Sequence, residues 1–555
     1  MRRVVALLVL PLVVASAAST SSAQRTGTSR DIGASDLRQR LFAFAHDSMM
    51  GREPGQEGNF KASAYVAAEF QRLGLEPAGD NGTYFQEVPF FRRAGDRSVS
   101  LRLGNRVLVM GRDYVPSPVA ARPRSMDGVP TVYGGLATDP GSWIEAHEAK
   151  GKVVVIGTLP AAERTVATRS TPMGALLRAP NFAGAAALMV VDYEASGSEG
   201  AARAMSGNLV QDTTWNDHMP PLIVVSRSIG DALFESPLAS APSGAPGKAF
   251  SGEARVGLTR LAYPARNVVA ILRGTNPAIR GQYVSVTAHN DHVGFDRSPV
   301  DHDSLRAFNR VVRPMGADSP RRDPTEPEWA RIRATLDSLR KMNPPRADSI
   351  RNGADDDGSG TVALLDIAER MSQGPRPQRS ILFVSHTAEE FGLLGSRWYT
   401  DHPTVPIDSI VGEIDVDMIG RGGADDLPDA GPTYLEVIGL RRLSNEFGDV
   451  IDAANAKQAR PFVFNLTFDA PGHPLQYYCR ADHYSYARYG IPSVSISRGE
   501  HLDYHQVTDE AQYIDYESLA RVATFVHDAA LMLGNRPTRP ALDGPKGDRG
   551  TPCRQ

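Results

Sequence analysis

Several stretches of this chain are apolar almost without a break, and that feature limits its fold more than any other. Residues 267–272 (NVVAIL), 283–288 (YVSVTA) and 380–385 (SILFVS) are strand-length and rich in β-branched residues. They lack the alternation of a half-exposed strand. A strand buried on both faces needs a covering layer on each side, and helical patterns between the runs can supply them. The last of these patterns, about 516–533, puts Leu519, Val522, Val526, Ala529 and Leu533 on one stripe. The expectation is an α/β fold with a mostly parallel central sheet flanked by helices.

With 555 residues, the chain is long enough for two or three domains. Residues 118–262 are rich in Ala, Gly and Pro and carry short strands of their own at 152–157, 187–191 and 221–225. This reads as a small β-rich domain inserted between an early part of the main domain, 24–117, and a late part, 263–535. Within the late part, 296–352 is polar, with several Pro and Arg and a helix expected at 328–342. It reads as a solvated surface insertion or as a lid. Residues 536–555 hold few apolar side chains and read as a disordered tail.

The first 23 residues read as a cleaved signal peptide. Arg2-Arg3 precede an apolar stretch at 4–14, too short to span a bilayer, and Ser21-Ser22-Ala23 offers a small-residue cleavage site; Ala18 offers another. No later run is long and apolar enough for a membrane span, so the expected location is secreted or periplasmic. Removing Arg2 and Arg3 takes the formal charge from -4 to -6 (60 - 2 - 64), which argues against nucleic acid as a partner. The two cysteines, Cys479 and Cys553, allow one bridge or two free thiols. They cannot build a zinc-thiolate site, so any metal must be held by nitrogen and oxygen.

Glu389 and Glu390 stand side by side directly after the 380–385 run. Adjacent carboxylates at the end of a core strand repel and lose hydration unless a cation or a proton offsets them. Four other stretches place acids or histidines at expected strand ends: Thr287-Ala288-His289-Asn290-Asp291-His292, residues 352–360 (NGADDDGSG), residues 414–420 (IDVDMIG) and Asp503-Tyr504-His505-Gln506. Open α/β sheets bind their ligands at that edge. Each motif is weak alone, since Asp beside Gly usually marks a turn. Together they would concentrate acid that resists folding unless cations neutralise it.

In these residues the chain resembles the co-catalytic di-zinc aminopeptidases, of the aminopeptidase Y and bacterial leucyl aminopeptidase type, in the version with an inserted protease-associated (PA) domain. The stretches carrying the resemblance are AHND, GADDDGSG, AEEFGLLGS, DMIG and YH, with 51–55 (GREPG) and Leu73-Gly74-Leu75 nearer the start. The resemblance implies two zinc ions: His289 and Asp417 on one, Glu390 and His505 on the other, and Asp356 bridging. Such carboxylate-rich sites also admit cobalt or manganese. It further implies that Glu389 is the general base, that Asp291 orients His289, and that Tyr504 either assists the oxyanion or is a pocket-wall aromatic. Asp355 and Asp357 add charge where relatives often have Asn after the bridging Asp. They could hold metal, recognise a substrate ammonium or be solvated. His292, His386 and His483 read as structural or rim residues, and Asp482-His483 is given no chemistry.

The leading expectation is an exported exopeptidase that removes N-terminal residues from peptide substrates. A carboxypeptidase or dipeptidase on the same site is the alternative, since Arg306, Arg310 and Arg313 could converge on a substrate carboxylate. The full ligand set argues against a one-zinc glutaminyl cyclase and against a non-catalytic binding ectodomain. No G-x-S-x-G occurs, so a serine hydrolase is unsupported.

Overall fold

The computed structural model describes residues 28–29, 31–159, 173–192, 205–320, 322–342, 344–421, 431–545, 549 and 553–555. The signal-peptide expectation lies outside them.

The central sheet is built from β1 (Glu76–Pro77), β2 (Phe85–Val88), β3 (Ala265–Leu272), β4 (Tyr283–His289), β5 (Ser380–His386), β6 (Ile410–Val416), β7 (Tyr434–Ile438), β8 (Val463–Asn465) and β9 (Ser493–Ser497). Its order is β1-β3-β5-β4-β6-β9-β7-β8, with β2 also pairing β3. The strands β5, β4, β6 and β9 are mutually parallel, so their carboxyl ends share one edge. β3 runs antiparallel to β5. An unbroken apolar run signals burial on both faces but not direction.

Strand β5 shows why its sequence lacks alternation. Ile381 and Phe383 enter one core with the helices Ala34–Phe44, Glu57–Arg72, Gly360–Gln373 and Tyr516–Asn535. Leu382 and Val384 enter a second core on the opposite face, with Tyr399 and Tyr486. Both faces of the strand are dry, and the covering helices fix which edge stays open.

The inserted unit has its own six-stranded sheet, in which Thr131–Leu136, Val153–Gly157, Ala187–Val191 and Leu222–Val225 are parallel neighbours. Separate apolar clusters pack on its two faces. The unit is therefore more α/β than β-rich. It also starts before residue 118, because Tyr114–Pro116 pairs with Leu222–Val225, and a strand so short leaves no periodic signal.

Two further regions depart from the sequence reading. Segment 296–352 forms the ribbon Phe295–Asp301/Ala347–Ile350 and two helices, His302–Val312 and Glu326–Arg340. The second helix starts earlier than expected because Thr325 and Glu328 form a capping box. The tail, expected to be disordered, is tied down where it is described. Gly544 N–H donates to Leu443 O, Asp543 accepts from Asn445 N–H, and Cys553 is bonded to Cys479. Composition counts apolar side chains, whereas this segment is held by backbone hydrogen bonds and one covalent link. Among the described residues no helix is long and apolar enough to cross a membrane.

Candidate metal centre

The shared strand edge gathers the expected residues. His289 closes β4, Glu389 and Glu390 follow β5, and Asp417 follows β6. Asp356 lies in the turn before helix Gly360–Gln373, and His505 on the loop after β9. His289 Nε2 lies 3.2 Å from Asp356 Oδ1, 3.6 Å from Asp417 Oδ1 and 4.0 Å from Glu389 Oε2. His505 Nε2 lies 2.9 Å from Asp356 Oδ2 and 2.8 Å from Glu390 Oε2. The Asp356 carboxylate thus turns one oxygen toward each histidine.

The residues fit bound metal on an observation of their own. His289 Nε2, His505 Nε2, Asp356 Oδ2, Glu390 Oε1 and Asp417 Oδ1 are buried and make no hydrogen bond. Buried polar atoms without partners are costly, and here they face one another. Donor atoms fall within 4.8 Å of one another in two groups, His292/Asp356/Glu390/His505 and His289/Asp357/Asp417. Imidazole nitrogens with carboxylate oxygens suit zinc.

Not every acid at this edge is free to ligate. Asp357 accepts N–H bonds from His289, Gly360 and Met418, so it clamps three segments together. Asp355 accepts from Gly420 N–H and lies 3.0 Å from His501 Nε2. Asp509 accepts from the N–H groups of Asp355 and Asp356. The solvated alternative for Asp355 and Asp357 is thereby removed, since both are fully buried.

His292 is not a rim residue. It is fully buried, its Nδ1 lies 2.7 Å from Glu390 Oε1, and its ring meets His505 edge to face. Room for it exists because residue 353 is glycine with φ +54; a Cβ there would lie 2.5 Å from the imidazole. The recurrence of histidine three places after His289 was the available sign. His386 and His483 are buried, and burial pulls both down to about 3. That agrees with a structural role for these two.

Asp291 stands against Nδ1 of His289, with its carboxylate at 3.5 Å and its carbonyl at 3.2 Å, and also accepts Glu389 N–H at 3.1 Å. Burial pushes the Glu389 carboxyl well up; His289 opposes this, and the charges of Asp417 and Glu390 add to it. Burial also works upward on Glu390, as does Asp356, but His505 and His292 overcome both and hold Glu390 down at about 2. The paired glutamates are therefore pulled in opposite directions, one ring of charge favouring the proton and the other the anion. Tyr504 stacks on His505 with centroids 4.0 Å apart, and its hydroxyl accepts from Arg480 Nη2 at 3.3 Å.

Backbone conformation also marks the site. Ala388, Met418 and His505 adopt φ of 58°, 57° and 55°, the left-handed region that non-glycine residues rarely use. They directly precede Glu389, directly follow Asp417, and coincide with a candidate ligand, so the strain sits where side chains must be aimed.

Arg52 was not assigned a role from the sequence. It is fully buried beneath the site, where it donates to the carbonyls of Asn290 (3.2 Å), Gly353 (2.8 Å), Asp356 (3.4 Å) and Asn352. Burial holds its guanidinium down at about 10 against the pull of Asp356 and Asp509.

The cleft over these residues has a volume of about 340 Å³, in the range of small-molecule and peptide side-chain sites. Segment 296–352 lines none of it. It braces the loop that carries His505: Ala317 N–H donates to Tyr504 O, and Asn309 Nδ2 to Leu502 O. Arg306, Arg310 and Arg313 do not converge on the cleft; Arg306 packs over Tyr513 and faces Asp503.

Residues 267–530 match Peptidase family M28. The probable leucine aminopeptidase 2 of Aspergillus oryzae is 31% identical over 150 residues, which are 26% of this chain and 28% of that protein. The probable glutamate carboxypeptidase AMP1 of Arabidopsis thaliana is 30% identical over 175 residues, 29% of this chain and 23% of its own. The chain thus spans under a third of either curated relative. The solved structure of a zinc aminopeptidase from Bacillus subtilis has the same fold, with a TM-score of 0.50 at 18% identity, covering 90% of this chain and 95% of that one. Residues 267–530, just under half of the chain, are therefore a Peptidase family M28 domain.

Proposed function

We propose that this protein is an exported zinc-dependent aminopeptidase that hydrolyses the first peptide bond of peptide substrates. The observation carrying this reading is the ring of buried, unpartnered donor atoms with Glu389 standing beside it. His289 and Asp417 would hold one zinc, Glu390 and His505 the other, and Asp356 would lie between them. The bound ions would supply Lewis acidity and lower the pKa of a water.

The protein's own groups then divide the work. Glu389, outside both ligand sets, takes a proton from the attacking water as its oxygen bonds to the scissile carbonyl carbon. It returns that proton to the departing nitrogen as the C–N bond breaks, leaving a free amine and a carboxylic acid, which then loses its remaining proton to solvent. Asp291 fixes the ring of His289 and the Glu389 backbone together. Tyr504, with its hydroxyl held by Arg480, donates to the oxyanion. The unit inserted before β3 is the PA-like domain of this reading and restricts access. The Cys479–Cys553 bridge suits an oxidising compartment.

The carboxypeptidase alternative would need a free cation in the cleft. Arg480 lines it but already faces Asp318 at 2.7 Å and Glu500 at 3.7 Å. Aminoacyl chromogenic substrates with free and acetylated amines, assayed with and without chelator, test the proposal. Cleavage should require the free amine and the metal. It should fall by roughly 10²–10⁴-fold in Glu389→Gln with metal content unchanged. Equal cleavage of the acetylated substrates would overturn it.

A further inference from the structure

The cleft continues past the candidate metal centre to a second pair of acids that the hydrolytic step does not use. Glu436 on β7 and Glu500 after β9 both line it and are both nearly buried, with Glu436 3% exposed. We propose that this end of the cleft accepts the cationic side chain of an N-terminal lysine or arginine. The proposal rests on the aminopeptidase reading above and specifies its substrate class.

The first support is charge. Tyr434 donates to Glu436 Oε1 at 2.7 Å, and Tyr477 to Glu500 Oε2 at 2.8 Å. Two phenols are dipoles, not counter-charges. The nearby cation, Arg480, lies 3.7 Å from Glu500 but 2.7 Å from Asp318, so it is shared. Burial, reinforced by Glu500, pushes the Glu436 carboxyl up to about 8, as expected for a carboxylate without a cation of its own. An incoming ammonium or guanidinium supplies what is missing, and a guanidinium can bond two carboxylates at once.

The second support is position along the sheet. Val416, just before Asp417, pairs with Ile496; one place further on, Ser497 pairs with Glu436. Neighbouring strands lie about 4.8 Å apart, so the Glu436 backbone is roughly 10 Å from that of Asp417. An α-ammonium is one carbon from the reacting carbonyl and does not reach so far; the end of a long side chain does. Between them, the small side chains of Ser495 and Ser497 line the cleft and leave a trough.

The third is that the carboxylate is kept open to the cleft by its neighbour. A Cβ at residue 499 would lie 2.4 Å from Glu436 Oε1, and Gly499 has φ +87. Any other residue there would both strain the backbone and push the carboxylate aside.

Binding and turnover test this separately. Calorimetric titration of the zinc-loaded protein with L-lysine, L-arginine and the uncharged L-norleucine reads the pocket without catalysis. The cationic amino acids should bind at least about tenfold tighter than norleucine, the scale of one charge-assisted hydrogen bond. Glu436→Gln and Glu500→Gln should each collapse that ratio, and lysyl and arginyl anilides should exceed leucyl anilide in kcat/KM. Norleucine binding as well as lysine in the wild type overturns the inference without reference to any variant. Turnover of free-amine substrates with leucine preferred overturns it too, while leaving the aminopeptidase reading intact. Selective lysine binding with no turnover of any free-amine substrate supports the pocket and instead overturns the aminopeptidase reading.

Discussion

Replacing Arg52 by methionine keeps most of the side-chain volume and removes the guanidinium donors under the metal centre. In the wild type its guanidinium is shared by the carbonyls of Asn290, Asn352, Gly353 and Asp356. Those carbonyls belong to the two loops that carry His289 and Asp356. A buried acceptor left without its donor costs about 1–3 kcal/mol; Gly353 O keeps the Gly358 N–H, so the other three carbonyls set a nominal range of about 3–9 kcal/mol. Two effects pull the net cost toward the lower end. The guanidinium is itself fully desolvated in the native state, and water can follow the loops once they loosen. A loss of roughly 4 kcal/mol is the working figure.

Urea denaturation of the metal-free protein measures that figure directly. Competition with a chromophoric chelator then measures zinc affinity, which should weaken by about 10–100-fold, as for other outer-sphere supports. Arg52→Lys should recover little, because one ammonium cannot reach carbonyls spread around a planar fork. Stability within about 1 kcal/mol of wild type, together with unchanged zinc affinity, would refute the view that Arg52 holds the two loops in register.

Two further outcomes follow. Tyr504→Phe should lower kcat by about 100-fold with KM nearly unchanged if the phenol meets the oxyanion; an unchanged kcat would make it a wall residue. Asp366, 2.6 Å from Arg40, is raised by burial, against the pull of Arg40, from its ordinary 3.8 to about 7. Its contribution to stability is therefore full below about pH 3.8 and is lost as pH rises through about 7. The stability of wild type relative to Asp366→Asn should fall across that window, by about 4 kcal/mol at most, and a flat difference between pH 4 and 8 would refute the assignment.

What the sequence made legible was whatever one strand and its following loop could carry. His289, Glu389, Glu390 and Asp417 each lie at the end of an apolar strand or within a few residues of it, so a reader who places the strands also places these residues at the sheet edge. Asp356 and His505 rest on loop geometry, which residue spacing alone does not supply. Arg52, Glu436 and Glu500 were not assigned from the sequence, and His292 was read only as structural or rim, for a different reason. Each acquires its role from a segment distant in the chain: Arg52 from carbonyls near 290 and 353, His292 from the absent side chain of Gly353, and Glu436 from Gly499 across a strand pair. The segment at 296–352 read as a surface insertion or a lid; its contacts to Leu502 and Tyr504, which polarity and proline content do not foretell, make it a brace.

The acids at this edge sort themselves by how each buried charge is met. Asp355, Asp357 and Asp509 accept backbone N–H donors, which hold their carboxyls in place and satisfy their oxygens. Glu413 and Asp415 share the hydroxyl of Thr287 and are pushed well up by burial and by their neighbours, so a proton neutralises them. Asp356, Glu390 and Asp417 each keep a buried oxygen with no hydrogen bond, aimed toward the unpartnered nitrogens of His505, His292 and His289 respectively. Oxygens and imidazole nitrogens left facing one another without hydrogen bonds are what a bound cation would satisfy. Glu436, which accepts from a single phenol and is pushed up to about 8 by burial, falls with the protonated acids while the cleft is empty, and a cationic side chain arriving with the substrate would take the place of that proton.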